Sequence, residues 1–394
     1  MFHSRLVGRV KLSIYSAISF AVVLSIIIVL NNSISNLSLQ SITVDGPPHD
    51  TRQNLRSGSG HQLLLYVKEE VKDHTHILAN VTGKKRIQKL KPTNRERGFH
   101  VRVTEFLGGH RCSVQFFMTW ISPASLFGPR EFLAVESLFK AHPRGCLVII
   151  SETMDSAPGY TRLKPLLDHR FRLLPVTPDL PFLFKNTPAE SWFDEIKKGK
   201  KDAGTIPLAQ NLSNLIRFAV LYKYGGVYLD TDFIILKDLF GLRNSIGAQS
   251  VDSSGNWTRL NNAVLIFDKN HPLLYLFMEE FASTFNGYRW GHNGPYLVSR
   301  VVGRVSAGHN CNFTVLPPMA FYPVSWTRIG RLFGKPDSRA GSKWVEAKLV
   351  QLNRRSYGVH LWNRMSSGLK IEEGSAMGRL FSTHCVICKR IYSS

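Results

Sequence analysis

Residues 212–236 read LSNLIRFAVLYKYGGVYLDTDFIIL, a helix, a Gly-Gly turn and an acid-ended strand in succession, and this order decides the fold. Leu212, Leu215, Ile216, Ala219 and Val220 recur at i, i+3, i+4, i+7 and i+8, the stripe of a helix with one buried face, which leaves Asn214 and Arg217 on another. Gly225 is placed to cap that helix. Glycine reaches the left-handed region without steric cost, so Gly225-Gly226 can reverse the chain and start an apolar strand at Val227. Alternate strand residues face opposite ways, so one strand over 227–236 would point Asp230 and Asp232 to the same side.

Two carboxylates on one side suit a hard divalent cation such as Mn²⁺ or Mg²⁺, which keeps open positions for phosphate oxygens. From Cys112 onward, apolar runs alternate with amphipathic ones. Strands are expected near 114–121, 146–151, 171–176, 227–236, 246–251 and 262–267, and helices near 130–141, 161–169, 271–285 and 294–305. That alternation predicts an α/β domain with a largely parallel sheet, whose ligands bind beyond the carboxyl ends of its strands. Asp230 and Asp232 would emerge there.

At these residues the chain resembles the DXD-containing alpha-1,4-glycosyltransferases, the Gb3-synthase-like group. The resemblance extends to FFMTWISP at 116–123, NNAVLIF at 261–267, WGHNGPYL at 290–297 and YGVHLWN at 357–363, and so covers about residues 112–365. Within the group it reads most like a plant member. The resemblance implies a GT-A-like nucleotide-sugar fold and a retaining, metal-dependent transfer from a UDP-linked hexose or N-acetylhexosamine to a glycan or glycolipid hydroxyl. It implies a catalytic set of Asp230, Asp232 and Arg217, with Mn²⁺ (or Mg²⁺) held by Asp230, Asp232 and His360. Arg217 would contact diphosphate oxygens or donor hydroxyls through its planar fork. Trp120, Asn214, Tyr228, Asp230 and Asn262 would line the donor side, with Trp120 stacked on the base, and the 292–295 segment would shape the acceptor side. Two departures stand out. Ser213-Asn214 replaces a Ser-Asp pair, which removes a carboxylate but keeps hydrogen bonding. Ser366-Ser367-Gly368 stands where many relatives carry Ser-Trp.

Residues 12–30 are nineteen uncharged residues, enough to cross a bilayer core of roughly 30 Å. Arg5, Arg9 and Lys11 precede them and no Lys or Arg follows until Arg52, so the positive-inside rule gives a cytosolic tail (1–11), a signal anchor (12–30) and a lumenal remainder. A cleaved signal peptide would have a shorter apolar core. Residues 31–110 read as a stem and 111–394 as the catalytic domain. A single-pass type II protein of the Golgi membrane is the expected address. Sequons at Asn31, Asn36, Asn80, Asn211, Asn256 and Asn312 agree with a secretory route, with Asn211 open to burial at a helix start. Five cysteines, at 112, 146, 311, 385 and 388, lie beyond the span in an oxidising compartment, and the odd count leaves one thiol over.

Other classes make different demands on the same residues. The net charge of +22 attracts polyanions, but a lumenal address excludes nucleic acid as a partner. A phosphatase of the haloacid-dehalogenase type would use Asp230 as nucleophile, but that motif continues to a Thr where this chain has Phe233-Ile234. A catalytically inactive, membrane-anchored sugar-binding protein is the alternative, and Asn214 is its best support.

Overall fold

The computed structural model describes residues 98–109, 112–305 and 311–388. The anchor at 12–30, the cytosolic tail and the sequons at Asn31, Asn36 and Asn80 lie outside the described residues. Among the described residues no helix is long and apolar enough to cross a membrane.

The first half runs α1 (Phe99–Gly109), β1 (Gln115–Thr119), α2 (Pro129–Ala141), β2 (Cys146–Ile150), α3 (Ala157–Asp168), β3 (Leu173–Val176), α4 (Leu180–Phe184), α5 (Ala189–Lys197) and α6 (Leu208–Tyr224). Next come β4 (Gly226–Leu229), β5 (Phe233–Ile235), β6 (Ser245–Val251), β7 (Trp257–Phe267), α7 (Pro272–Thr284) and α8 (Pro295–Val305). The chain ends with β8 (Thr314–Leu316), α9 (Pro318–Phe321), α10 (Arg339–Arg355), β9 (Gly358–His360), α11 (Asn363–Ser366) and α12 (Ala376–His384).

Seven strands form one sheet in the order β3-β2-β1-β4-β7-β6-β8, and β5 pairs with β9 in a second, two-stranded sheet. The pairs β3-β2, β2-β1, β1-β4 and β6-β8 are parallel, while β7 runs against both neighbours. The expected α/β class with a parallel-rich sheet is therefore what the chain adopts. Period-2 alternation sorts the core. Phe117, Val148, Ile150 and Tyr228 face a cluster with Leu215, Phe218 and Ala219 of α6 and Phe277 of α7. Phe116, Met118, Leu147, Ile149, Val227 and Leu229 face the opposite cluster, with Phe132 and Val135 of α2 and Leu163 of α3. Both faces are covered, so these strands are apolar without a break. Each such side chain, fully buried, stabilises the fold by about 1.5–3 kcal/mol.

The turn that opens β4 requires its glycines. Gly225 caps α6 at φ 69° with its N–H on the Leu221 carbonyl, and Gly226 follows at φ 105°. A Cβ on Gly226 would lie 2.5 Å from the Gln115 carbonyl oxygen of β1.

Two expectations change. The segment 227–236 is not one strand: β4 stops at Leu229, a turn over 230–232 closes with the Phe233 N–H on the Asp230 carbonyl at 3.1 Å, and β5 leaves for the second sheet. The chain leaves the main ladder because Phe233–Ile235 take Gly358–His360 as their antiparallel partners. Ordered packing also begins within the segment read as stem. Phe99 and Val103 of α1 enter the core, and Arg102 makes a buried two-pronged pair with Asp155 at 2.6 and 2.8 Å. Disulfides join Cys112 to Cys146 and Cys385 to Cys388, and Cys311 is the thiol left over.

Candidate active site

The site is built at the carboxyl end of β4, where the main sheet hands the chain to the second. The Asp230 N–H is held by the Ala263 carbonyl of β7 at 2.8 Å, which fixes the end of β4. Three residues later β5 pairs antiparallel with β9, and Phe233 lies opposite His360. That register brings a histidine 128 positions downstream of Asp232 to the acidic turn, with His360 Nε2 3.2 Å from Asp232 Oδ1. Asp230, Asp232 and His360 each offer a ligand atom within 4.8 Å of the others, the one three-donor group of this kind found among the described residues. Two carboxylates and an imidazole fit a divalent cation such as Mn²⁺ or Mg²⁺, the carboxylates being the preferred ligands of either ion.

Each donor is oriented by a second partner. Asp232 Oδ2 accepts the Asn363 N–H at 2.8 Å, and the Asp232 carbonyl accepts the Leu361 N–H at 2.8 Å. Trp362 sits in the left-handed region at φ 55°, ψ 57°, and this bend aims the Asn363 N–H back at Asp232. Its indole lies edge-on to the His360 ring at 4.4 Å and donates to the Val324 carbonyl at 2.9 Å, so the strained residue is held by its own side chain.

Arg217, on α6, holds Asp230. Its Nη2 is 3.1 Å from Asp230 Oδ1 and its Nη1 3.3 Å from Oδ2. The remaining donors go to the Asn262 carbonyl at 2.7 Å, the Ser213 carbonyl at 3.2 Å and the Ser213 hydroxyl at 3.2 Å. The guanidinium also lies over the Tyr228 ring at 4.5 Å. Only 7% of the Arg217 side chain is exposed. In the folded chain the fork is spent on protein oxygens, and through them Arg217 positions Asp230. Tyr228 is fully buried, donates its hydroxyl to Asp230 Oδ1 at 3.0 Å and meets Thr119 Oγ1 at 2.7 Å. Thr119 Oγ1 in turn meets the Ser213 hydroxyl at 2.8 Å. The positioning roles of Thr119, the Ser213 hydroxyl and the Asn363 N–H are not legible in the sequence. All three lie inside quoted segments, but nothing in a hydroxyl or a backbone N–H marks its role before the strands are paired.

Asn214 and Asn262 come together, the Asn262 amide donating to Asn214 Oδ1 at 2.8 Å. The Asn214 position therefore presents an amide pair with no carboxylate. Trp120 follows β1, but its indole packs edge-on to Phe127 at 5.1 Å and its N–H points to the Pro123 carbonyl at 3.3 Å. Asn211 is buried on α6 and bonded to Asn293, so its sequon is closed in the folded chain, whereas Asn256 and Asn312 are exposed.

Charge within the site is unevenly distributed. Burial pushes the Asp230 carboxyl above its ordinary range, and the Arg217 charge only partly offsets this. Burial acts the same way on Asp232, but the His360 charge, its hydrogen bond and the Asn363 N–H outweigh it and hold the carboxyl low. Burial would lower His360, yet the Asp232 charge beside it raises it overall. His360 and Asp232 thus favour each other's charged form at the place where a cation would bind. With both Asp230 oxygens engaged by Arg217 and Tyr228, the arrangement disfavours a phosphatase nucleophile at that carboxylate.

Two family models match the chain. "Alpha 1,4-glycosyltransferase conserved region" covers residues 266–392, and "Glycosyltransferase sugar-binding region containing DXD motif" covers residues 128–252. The second spans the acidic turn and the first His360. Mouse lactosylceramide 4-alpha-galactosyltransferase is 34% identical over 67% of this chain and 71% of its own length. Human alpha-1,4-N-acetylglucosaminyltransferase is 28% identical over 64% of this chain and 73% of its own length. An uncharacterized Arabidopsis thaliana protein is 30% identical over 73% of this chain and 44% of its own length.

Proposed function

The chain belongs to the alpha 1,4-glycosyltransferase family and is a glycosyltransferase, and on that premise we propose that it transfers a hexose or N-acetylhexosamine from a UDP-linked donor to a glycan or glycolipid hydroxyl. The linkage formed is alpha, with retention at the anomeric carbon, on a GT-A-like fold. Its acidic turn and His360 bind Mn²⁺ or Mg²⁺, and its anchor places the domain in the Golgi lumen as a type II membrane protein. The observation that carries the reading is the convergence of Asp230, Asp232 and His360 at the carboxyl end of β4. Relatives named for galactosyl and N-acetylglucosaminyl transfer support either donor sugar.

A bound divalent cation supplies Lewis-acid neutralisation of the departing diphosphate. The protein's own groups do the rest. Arg217 and Tyr228 keep Asp230 in one rotamer, and the Asn363 N–H does the same for Asp232, so little reorganisation remains at the moment of transfer. Asn262, itself buried, orients the Asn214 amide, and Asn214 offers hydrogen bonds to donor hydroxyls. His360 would complete the ligand set with its imidazole in the neutral form that metal binding requires. Front-side displacement follows, with charge stabilisation as the main catalytic contribution, and trapping of a glycosyl-enzyme would contradict it.

The test is a panel of UDP-sugars incubated with the detergent-solubilised full-length protein and Mn²⁺. UDP release from one sugar donor, lost on chelation and in Asp232→Asn, supports the proposal. No release and no metal-dependent donor binding would favour the sugar-binding reading instead.

A further inference from the structure

The 286–293 loop between α7 and α8 is built to hold still. Asn293 is buried and clamps the loop base: its Nδ2 donates to the Asn286 carbonyl at 2.7 Å, and its Oδ1 accepts the Asn286 N–H at 3.1 Å. Asn286 Oδ1 then accepts the N–H groups of Tyr288 and Arg289 at 2.9 and 3.0 Å. The Gly287 carbonyl accepts the Ile206 N–H at 2.8 Å, and a Cβ on Gly287 would lie 1.8 Å from the Ala203 carbonyl oxygen. A loop fixed at so many points could tuck its aromatic side chains inward. Instead its tip leaves Tyr288 60% and Trp290 46% exposed.

The loop meets elements of the site at two points. On one flank the Arg364 guanidinium lies 3.9 Å from the Trp290 ring centroid, and Arg364 directly follows Asn363, whose N–H binds Asp232. On the other flank Gly294 abuts the amide pair, since a Cβ there would sit 2.8 Å from Asn214 Oδ1. A pyranose has an apolar C–H face and a rim of hydroxyls. With Arg364 over one face of the indole, the other face of the 46% exposed ring offers the first a flat apolar surface, and the guanidinium offers the second several hydrogen-bond donors.

Resting on the transfer reaction above, we propose that Trp290 and Arg364 form an acceptor subsite, with Trp290 stacking on the pyranose ring that receives the new sugar and Arg364 binding its hydroxyls. The loop then sets acceptor specificity from outside the metal centre. It carries no part of the donor's leaving-group chemistry.

The full-length protein is titrated with lactose, N-acetyllactosamine and methyl β-glucoside by saturation-transfer NMR, without donor. The subsite predicts binding of at least one of these, weakened at least tenfold by Trp290→Ala (about 1.4 kcal/mol) and severalfold by Arg364→Ala, with Trp290→Phe close to wild type. In transfer assays the acceptor KM of Trp290→Ala rises at least tenfold more than its donor KM. No binding of any of the three sugars, or equal binding by wild type and Trp290→Ala, overturns the proposal. So does a Trp290→Ala variant that loses only affinity for phosphatidylcholine vesicles, which would make the tip a lipid contact. Failure of the underlying reading is distinct, because it shows as a wild-type protein that neither cleaves nor binds any UDP-sugar with Mn²⁺.

Discussion

Replacing Arg217 with alanine separates a positioning role from a substrate-binding one. The guanidinium is buried, pairs with Asp230 at 3.1 Å and satisfies the Asn262 carbonyl and both Ser213 oxygens. Removing one partner of a buried ion pair costs about 3–5 kcal/mol, because the other charge is left uncompensated. Asp230 keeps 27% of its side chain exposed, so water recovers part of that loss and the lower end of the range applies. A loss of about 3 kcal/mol corresponds to a fall of about 5 °C in Tm for a domain of this size. Thermal and urea unfolding of the full-length protein measure it. A double-mutant cycle with Asp230→Ala should return strong coupling, with the double variant little worse than Arg217→Ala alone. If Arg217→Ala unfolds within about 0.5 kcal/mol of wild type while donor KM rises steeply, the guanidinium serves the substrate and the positioning argument fails.

Three further perturbations test the frame around the site. Cys112→Ser with Cys146→Ser opens a loop of 34 residues at the start of β1 and β2, and chain entropy predicts a loss of about 4 kcal/mol, read by urea unfolding; an unchanged midpoint would contradict the bridge. Gly226→Ala forces a Cβ to 2.5 Å from the Gln115 carbonyl at φ 105°, so a loss of more than about 2 kcal/mol is expected, and a soluble variant with wild-type Tm would refute the turn. Burial pushes the His384 imidazole down to about 4 from its ordinary value of 6.5. The unfolded chain therefore takes up the proton first, and this contribution to stability is intact above pH 6.5 and lost as pH falls toward 4. His384→Gln should flatten the stability profile across that window, and a parallel profile would show the imidazole is not the group responsible.

The parts of the fold legible in the sequence are those with strong local periodicity. The α6 stripe, the Gly225-Gly226 turn and the unbroken apolar runs of β1 and β2 each follow from side chains within a few residues. The features that local pattern does not reveal depend on distant partners. The run 227–236 is apolar on both sides of its acids, so pattern alone joins β4 and β5. Only the pairing of β5 with β9 shows that the acids occupy a turn. Arg217 was visible as a charge on the helix, but whether a guanidinium faces a ligand or a buried carboxylate depends on packing that no helical wheel contains. His360 was accessible only through resemblance, because its metal-ligand geometry arises from a strand register formed across more than a hundred residues. The helices α10 and α12 build a third core with Val359 and Ile234, which places β9 against β5. Their composition gave no hint of that task.

The central claim is that Asp230, Asp232 and His360 form one divalent centre. Calorimetric titration of Mn²⁺ into the full-length protein tests it directly, with Asp232→Asn and His360→Ala alongside. The account predicts one equivalent bound by wild type, protons released on binding, and affinity at least about tenfold lower in either variant. Equal stoichiometry and affinity in all three proteins would contradict it.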